Sequence, residues 1–247
     1  MVETGIDMKG IILGAGDVIR GIVSAQGTGS GSNPTPALQE IRLVPIPREV
    51  AKELIVAHHY SHSLPGGTKM TFGIFLDGRL LGALVFGVGP YYGYKLVNGA
   101  SSDDAVTLTR LWLADELPKN SESKILGVAL RSLMKETSLK FVIAYSDPAF
   151  GHLGIIYQAT NWLYTGLSYA TGLYDIGDGV LHHSRSLAHQ LGSHSIHYLT
   201  SQGINAKIIP QQAKYRYIYF LDESWRSRLA VPILPYPKKE REINGNN

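Results

Sequence analysis

Six side chains stand where they could do chemistry: His59, Tyr60, Arg110, Ser132, Asp147 and Tyr157. Imidazole is a base near neutral pH or a metal ligand. His59 and Tyr60 follow directly on an amphipathic stretch, where a helix end opens onto a loop. A loop histidine beside a packed tyrosine is the alternative, and His58 and His62 compete for the same role. Asp147 ends an apolar run and precedes Pro148, which fixes its carboxylate at a strand end, as a reactive group or as a cap. Tyr157, Asn161 and Tyr164 recur at i, i+4 and i+7, a spacing that lines one helix face, either a groove or a plain polar surface. Arg110 can hold an anion and Ser132 can donate a hydrogen bond to it. Equally, Arg110 can be paired within the fold, and Ser132 can lie beside an apolar helix face. His59, Tyr60, Asp147 and Tyr157 together supply one nitrogen and three oxygens, a set suited to a non-thiolate transition metal such as iron.

The elements that must position these groups read as an α/β pattern. A helix is predicted over 47–58, with Val50, Leu54 and Ala57 inward. Runs 71–76 and 79–86, joined by Asp77-Gly78, carry a strong hairpin signal. A strand over 105–113 leads to a helix over 121–136, with Ser121 or Ser123 as N-cap and Ile125, Val128, Ala129 and Leu133 as its apolar face. A buried strand, 140–146, ends at Asp147-Pro148. Residues 151–166 are expected to be helical, with Ile155, Ile156, Ala159, Trp162 and Leu163 inward. The stretch 214–222 is a strand with Tyr215, Tyr217 and Tyr219 on one face. Helix, hairpin, strand, helix, strand, helix and terminal strand is an order similar to the GNAT acyltransferase fold, a mixed twisted sheet with helices on both faces. In such sheets, sites form beyond the carboxyl ends of parallel strands.

Composition bounds the rest. The chain has 247 residues, no cysteine, and a net charge of +3. Disulfides, thiolate zinc sites and cysteine nucleophiles are excluded, and a mild basic bias permits a polyanionic partner. No run approaches the roughly 20 apolar residues of a membrane span, and no cleavable leader opens the chain; a cytoplasmic location is expected. Residues 1–38 read as a loosely docked arm and linker, 39–230 as the catalytic domain, and 231–247 as a charged tail. The run Gly14-Ala15-Gly16 lacks the spacing of a dinucleotide fingerprint.

His59-Tyr60 within AHHYSHSLP, Arg110 within LTRLWL, Ser132 within LRSLMK, SDPAFGHLGIIYQATNWLYTG and KYRYIYFL together resemble the Mom family of phage proteins. The resemblance runs from about residue 40 to about 222. It implies a transferase that adds a carbamoylmethyl (acetamido) group to adenine N6 in phage DNA, protecting that DNA from restriction. The six residues above are then its catalytic set, with Arg110 and Ser132 on the donor. Iron on His59, Tyr60, Asp147 and Tyr157 is implied as well. The same four could instead bind adenine and deprotonate its amine without metal. The partner is double-stranded DNA with a flipped adenine, and Tyr91, Tyr92 and Tyr94 are candidates for stacking or wedging. The oligomeric state, a dimer included, is open.

One departure bears on the donor. The segment before the central helix, LADELPKNSESKILG, lacks the glycine-rich loop that holds the pyrophosphate of coenzyme A. Acetyl-CoA is therefore not the expected donor. His182, His183, His189, His194 and His197, with Arg185 among them, read as an irregular segment suited to phosphate contact. Two other functions compete: an ordinary acetyltransferase on a small molecule, protein or RNA, and a non-catalytic DNA-binding module.

Overall fold

The computed structural model describes residues 19–22, 40–90, 92–170 and 172–238. Two compact units emerge. Of the described residues, the first comprises those up to 144, with 155–165 and 217–236; the second comprises those within 145–154, 166–216 and 237–238.

The main sheet contains β1 (Ile19–Ile22), β2 (Glu40–Pro45), β3 (Thr68–Leu76), β4 (Arg79–Gly87), β5 (Ala105–Leu113), β6 (Phe141–Ser146), β7 (Leu163–Leu167) and β11 (Tyr215–Phe220). Their order is β1-β2-β3-β4-β5-β6-β11-β7. Pairing is antiparallel from β1 to β5 and parallel between β5 and β6. The sheet is thus mixed, and with its flanking helices it gives the α/β class expected from the sequence.

The β3–β4 hairpin is built by its turn. Leu76 pairs with Arg79, leaving Asp77 and Gly78 at φ of 50° and 80°. Two consecutive positive φ values define the type I′ turn, whose twist matches that of the strands it joins. Six consecutive residues of β4, Leu81 to Phe86, comprise Gly82 and five buried apolar side chains. Both faces of the strand are therefore covered. Helix α1 (Arg48–His58) covers one of them, packing Ala51 and Ile55 on Ala83 and Val85. Its buried stripe is centred on 51 and 55, with Leu54 at the margin and Ala57 exposed.

Helix α2 (Ser121–Glu136) buries Ile125, Leu126, Ala129, Leu130 and Leu133, the i, i+4, i+8 stripe of a core-facing helix. Truncating Leu130 to alanine would cost about 2–5 kcal/mol. Neither expected serine caps it. Asn120, left-handed at φ of 65°, holds the N-cap without a side-chain bond, while the Ser121 and Ser123 hydroxyls donate backward to the Pro118 and Asn120 carbonyls.

The helix expected over 151–166 is largely absent. Gly151 and Gly154 have positive φ, so α3 spans only Ile155–Ala159. Asn161, at φ of 61°, turns the chain into β7, where the β-prone run Leu163-Tyr164-Thr165 fits a pleated surface better than a helix. Trp162 is buried as expected, but within α3 the inward face inverts. Ile155 is 61% exposed, and Tyr157 is buried. Tyr157, Asn161 and Tyr164 consequently share no helix face.

Two terminal boundaries also shift. Ile19–Ile22, inside the supposed arm, pairs with β2 as an edge strand; the rest of that arm lies outside the described residues. Residues 231–236, assigned to the tail, dock on the first unit: Leu234 N–H donates to the Tyr164 carbonyl, and the Tyr236 hydroxyl to that of Trp162.

The second unit carries β8 (Gly172–Asp175), β9 (Leu181–His182) and β10 (Lys207–Pro210) in the order β10-β8-β9. It also carries α4 (Ser184–Leu191) and α5 (Ile196–Ser201). Its core is Tyr174, Leu187 and Leu199, flanked by Ile176, Leu191, Ile204 and Ala206. The histidine-rich segment is ordered rather than irregular.

Candidate active site

Arg110 lies on β5 at a break in the ladder. Phe86 pairs with Leu108 but Val85 pairs with Arg110, so Thr109 is an extra residue on β5. Such a bulge bends the strand and re-aims the side chain beside it. Parallel pairing with β6 extends over Ala105–Leu108 against Phe141–Ala144. Burial changes in step, from fully buried over 105–108 to half-buried over 109–113. Arg110 thus sits where β5 leaves the closed interior.

The guanidinium is held as a fork. Nε donates to the Ser63 carbonyl at 2.8 Å, one terminal nitrogen to Ser63 Oγ at 3.2 Å, and the other to the Thr109 carbonyl at 2.6 Å. Burial lowers its pKa, and the nearby Tyr60 raises it in part. Tyr60 also acts on Tyr157. Burial first, then the phenols of Tyr60 and Tyr217, push the Tyr157 hydroxyl far above the usual tyrosine range. Tyr60 is 41% exposed. Tyr157 is buried, its ring 5.1 Å from both Trp162 and Tyr217.

The three competing histidines now separate. His58 stacks on Trp112, centroids 4.4 Å apart. His62 bonds through Nδ1 to the Val56 carbonyl at 3.0 Å, closing off the helix end. His59 is the buried one, and its ring lies 4.2 Å from that of Tyr60. Its Nδ1 faces both the amide N–H and the Oγ of Ser61, at 3.1 and 2.8 Å. An amide N–H only donates, so Nδ1 presents its lone pair and the neutral ring carries its proton on Nε2. The short loop after α1 accordingly does two jobs: Ser61 fixes His59 and Ser63 fixes Arg110. Neither serine was singled out in the sequence. Their signal was the His-Tyr-Ser-His-Ser spacing, which has no meaning until β5 is brought alongside.

Asp147 belongs to the second unit. One carboxylate oxygen caps the 3-10 turn Pro148–Phe150 by accepting from Ala149 N–H at 3.0 Å. The other forms an ion pair with Lys214 at 2.9 Å. Beside it, Ser146 Oγ is buried without a hydrogen-bond partner among the described residues. Ser132 is half-buried near the end of α2, about 16 Å from the helix start at ~1.5 Å per residue. That end carries the negative pole of the helix dipole, which disfavours an anionic donor there.

The donors implied for iron do not fit a metal as placed. His59 Nδ1 accepts from Ser61 N–H, Asp147 is paired with Lys214, and the Tyr157 ring is packed against Trp162 and Tyr217. Among the described residues no group of three or more His, Asp or Glu side chains gathers as a metal site. Tyr91 lies outside the described residues. Tyr92 is exposed and left-handed at φ of 63°, with the Lys95 ammonium 4.0 Å above its ring.

Fold and site together define an α/β protein whose central strand bulges beside Arg110, an arginine bonded to the loop that carries His59 and Tyr60. The chain belongs to the Mom protein family, which matches residues 40–238. It is 30% identical over 207 residues to the protein called methylcarbamoylase mom of Escherichia phage Mu, covering 81% of this chain and 85% of that one. Among solved structures it overlaps an IAA acetyltransferase from Bacillus cereus at a TM-score of 0.42 and 10% identity, covering 73% of this chain and 99% of that one. An N-acetyltransferase from Staphylococcus aureus Mu50 overlaps at 0.41 and 9% identity, covering 73% and 97%. These overlaps are distant, and the fold class stands on the chain's own strand order.

Proposed function

We propose that this protein is a DNA-modifying transferase that attaches a carbamoylmethyl group to adenine N6 in phage DNA, shielding it from restriction. The observation that carries this reading is the bonding of Arg110, at the β5 bulge, to Ser63 of the loop that carries His59 and Tyr60. It is supported by membership of a family in which a relative bears the name methylcarbamoylase.

Adenine N6 is a weak nucleophile, because its lone pair is delocalised into the ring, and in a duplex it is also paired. The base is flipped out at a cost of a few kcal/mol and stacks on the Tyr60 ring, whose plane His59 and Ser61 fix. N6 attacks the methylene carbon of a donor X–CH2–CO–NH2. The C–N bond forms, the C–X bond breaks, X leaves with the electron pair, and the proton lost from N6 ends on X. Arg110 faces the charge that grows on X, where a preorganised cation is worth the most. The donor's class is set by that step: it carries a leaving group that departs as an anion. Tyr92 is the candidate wedge for the gap left by the flipped base. No step runs through a metal.

Mass spectrometry of nucleosides from DNA of cells expressing the protein tests the reading. Adenosine heavier by one carbamoylmethyl group is expected. Unmodified adenine throughout, from a soluble and folded protein, refutes it.

A further inference from the structure

We propose that α4, its turn and α5 in the second unit form a helix-turn-helix that reads duplex DNA, separate in role from the chemistry at Arg110. This rests on duplex DNA being the substrate.

The local geometry comes first. Helix α4 stops at Gly192, which is left-handed at φ of 86° and whose N–H bonds to the Ala188 carbonyl. Four residues, 192–195, then lead to α5, with Ser195 at its N-cap. Two short helices joined by a turn of three or four residues containing glycine is the DNA-binding arrangement in which the second helix enters the major groove. Each helix is pinned to the small core by a single fully buried leucine, Leu187 in α4 and Leu199 in α5.

That pinning leaves α5 unusually open. Every residue of it except Leu199 is exposed. With 3.6 residues per turn, the direction opposite Leu199 is shared by His197 and Ser201, at i and i+4. Thr200, Gln202 and Tyr198 lie at its sides. Hydroxyls, an amide and an imidazole are groups that exchange hydrogen bonds with base edges, and a tyrosine ring offers apolar contact to a thymine methyl.

Charge points to the same occupant. Residues 179–221 contain no Asp or Glu, although the whole chain carries 20 acidic residues. The acid that precedes this stretch, Asp178, is bonded to His182 at 2.7 Å. Within it, Lys214 is engaged by Asp147 and Arg216 is buried. Arg185 on α4 is exposed, as is Lys207 at the start of β10, in register with Asp175 of β8. A helix pair that carries no acid of its own and is rich in small hydrogen-bonding groups suits a polyanion with a readable groove.

The test uses the full chain, a labelled DNA duplex and fluorescence anisotropy over a range of salt concentrations. R185A/K207A should reduce the log–log salt slope by about 1.8, at ~0.9 per lost phosphate contact, which corresponds to roughly 60-fold weaker binding at 0.1 M salt. H197A/S201A should leave the slope unchanged and flatten the sequence preference of adenine modification in expressing cells. Thermal melts matching the wild type show that both variants are folded. Wild-type slope and preference in both folded variants would overturn the assignment while leaving the proposed chemistry intact. A wild-type protein that binds RNA in preference to the duplex would overturn it as well. A wild-type protein that neither binds duplex nor modifies adenine would instead sink the functional reading itself.

Discussion

Replacing Arg110 by alanine separates chemistry from folding. The substitution removes three hydrogen bonds, two to the exposed Ser63 and one to the half-buried Thr109 carbonyl. At about 1 kcal/mol net for each, less where water replaces the partner, the fold loses roughly 2–3 kcal/mol. A domain of this size holds about 5–15 kcal/mol and loses about 2–4 °C of Tm per kcal/mol. The variant should therefore melt about 4–12 °C lower and still fold at working temperature. Activity should fall much further. Loss of a preorganised charge at a developing anion costs about 10²–10³ in rate, enough to remove modified adenine from a nucleoside digest. Arg110→Lys keeps the charge but not the fork, and should recover only part of the activity. The assay pairs nucleoside mass spectrometry with a melt of the same preparation. Wild-type modification in a folded Arg110→Ala protein would remove Arg110 from the reaction.

Gly89 has φ of 69°, and a Cβ there would lie 2.0 Å from Thr107 Oγ1. Gly89→Ala should therefore cost about 2–5 kcal/mol, combining left-handed strain with overpacking, and a melt within 2 °C of wild type would contradict this. Tyr92→Ala should lower modification of duplex DNA while sparing single-stranded oligonucleotides; equal losses on both would show that Tyr92 is no wedge. Deleting residues 1–38 removes the edge strand Ile19–Ile22 and bares the edge of β2, so the truncated chain should fold yet aggregate sooner. Unchanged solubility and melting would show that β1 contributes nothing. Iron measured in purified protein should be well below one per chain; stoichiometric iron that disappears in His59→Ala would restore the metal reading.

The hairpin and the strand–helix–strand crossover were legible because local signals sufficed: a two-residue turn and uninterrupted periodicity. The stretch after Gly154 was not. Its apolar residues fit a helical period, but two glycines and a left-handed asparagine, facts of backbone rather than of hydrophobicity, divide it into a single turn and a strand. Arg110, Tyr60 and His59 stand out only through the family resemblance, and what holds them is not legible in the sequence. Ser63 lies far from Arg110 in the chain, and no spacing rule spans that separation. The bulge at Thr109 was equally hidden, since it exists only in register with β4. Asp147 was correctly placed at a strand end, while its ion pair with Lys214 depends on a contact between residues distant in the chain.

The aromatic nest around Trp162 has an optical consequence. This indole is wholly buried, its N–H lacks a partner among the described residues, and tyrosine rings stand 5.1 and 5.7 Å away at Tyr157 and Tyr219. Light absorbed by those phenols should pass to Trp162 by energy transfer and emerge as blue-shifted emission. The half-buried Trp112, lying under a histidine, and Trp225, with the Arg228 guanidinium 4.3 Å from its ring, should emit further to the red. Excitation at tyrosine wavelengths thus gives the first unit a built-in lamp, one that dims when β7 and β11 part and needs no label to follow.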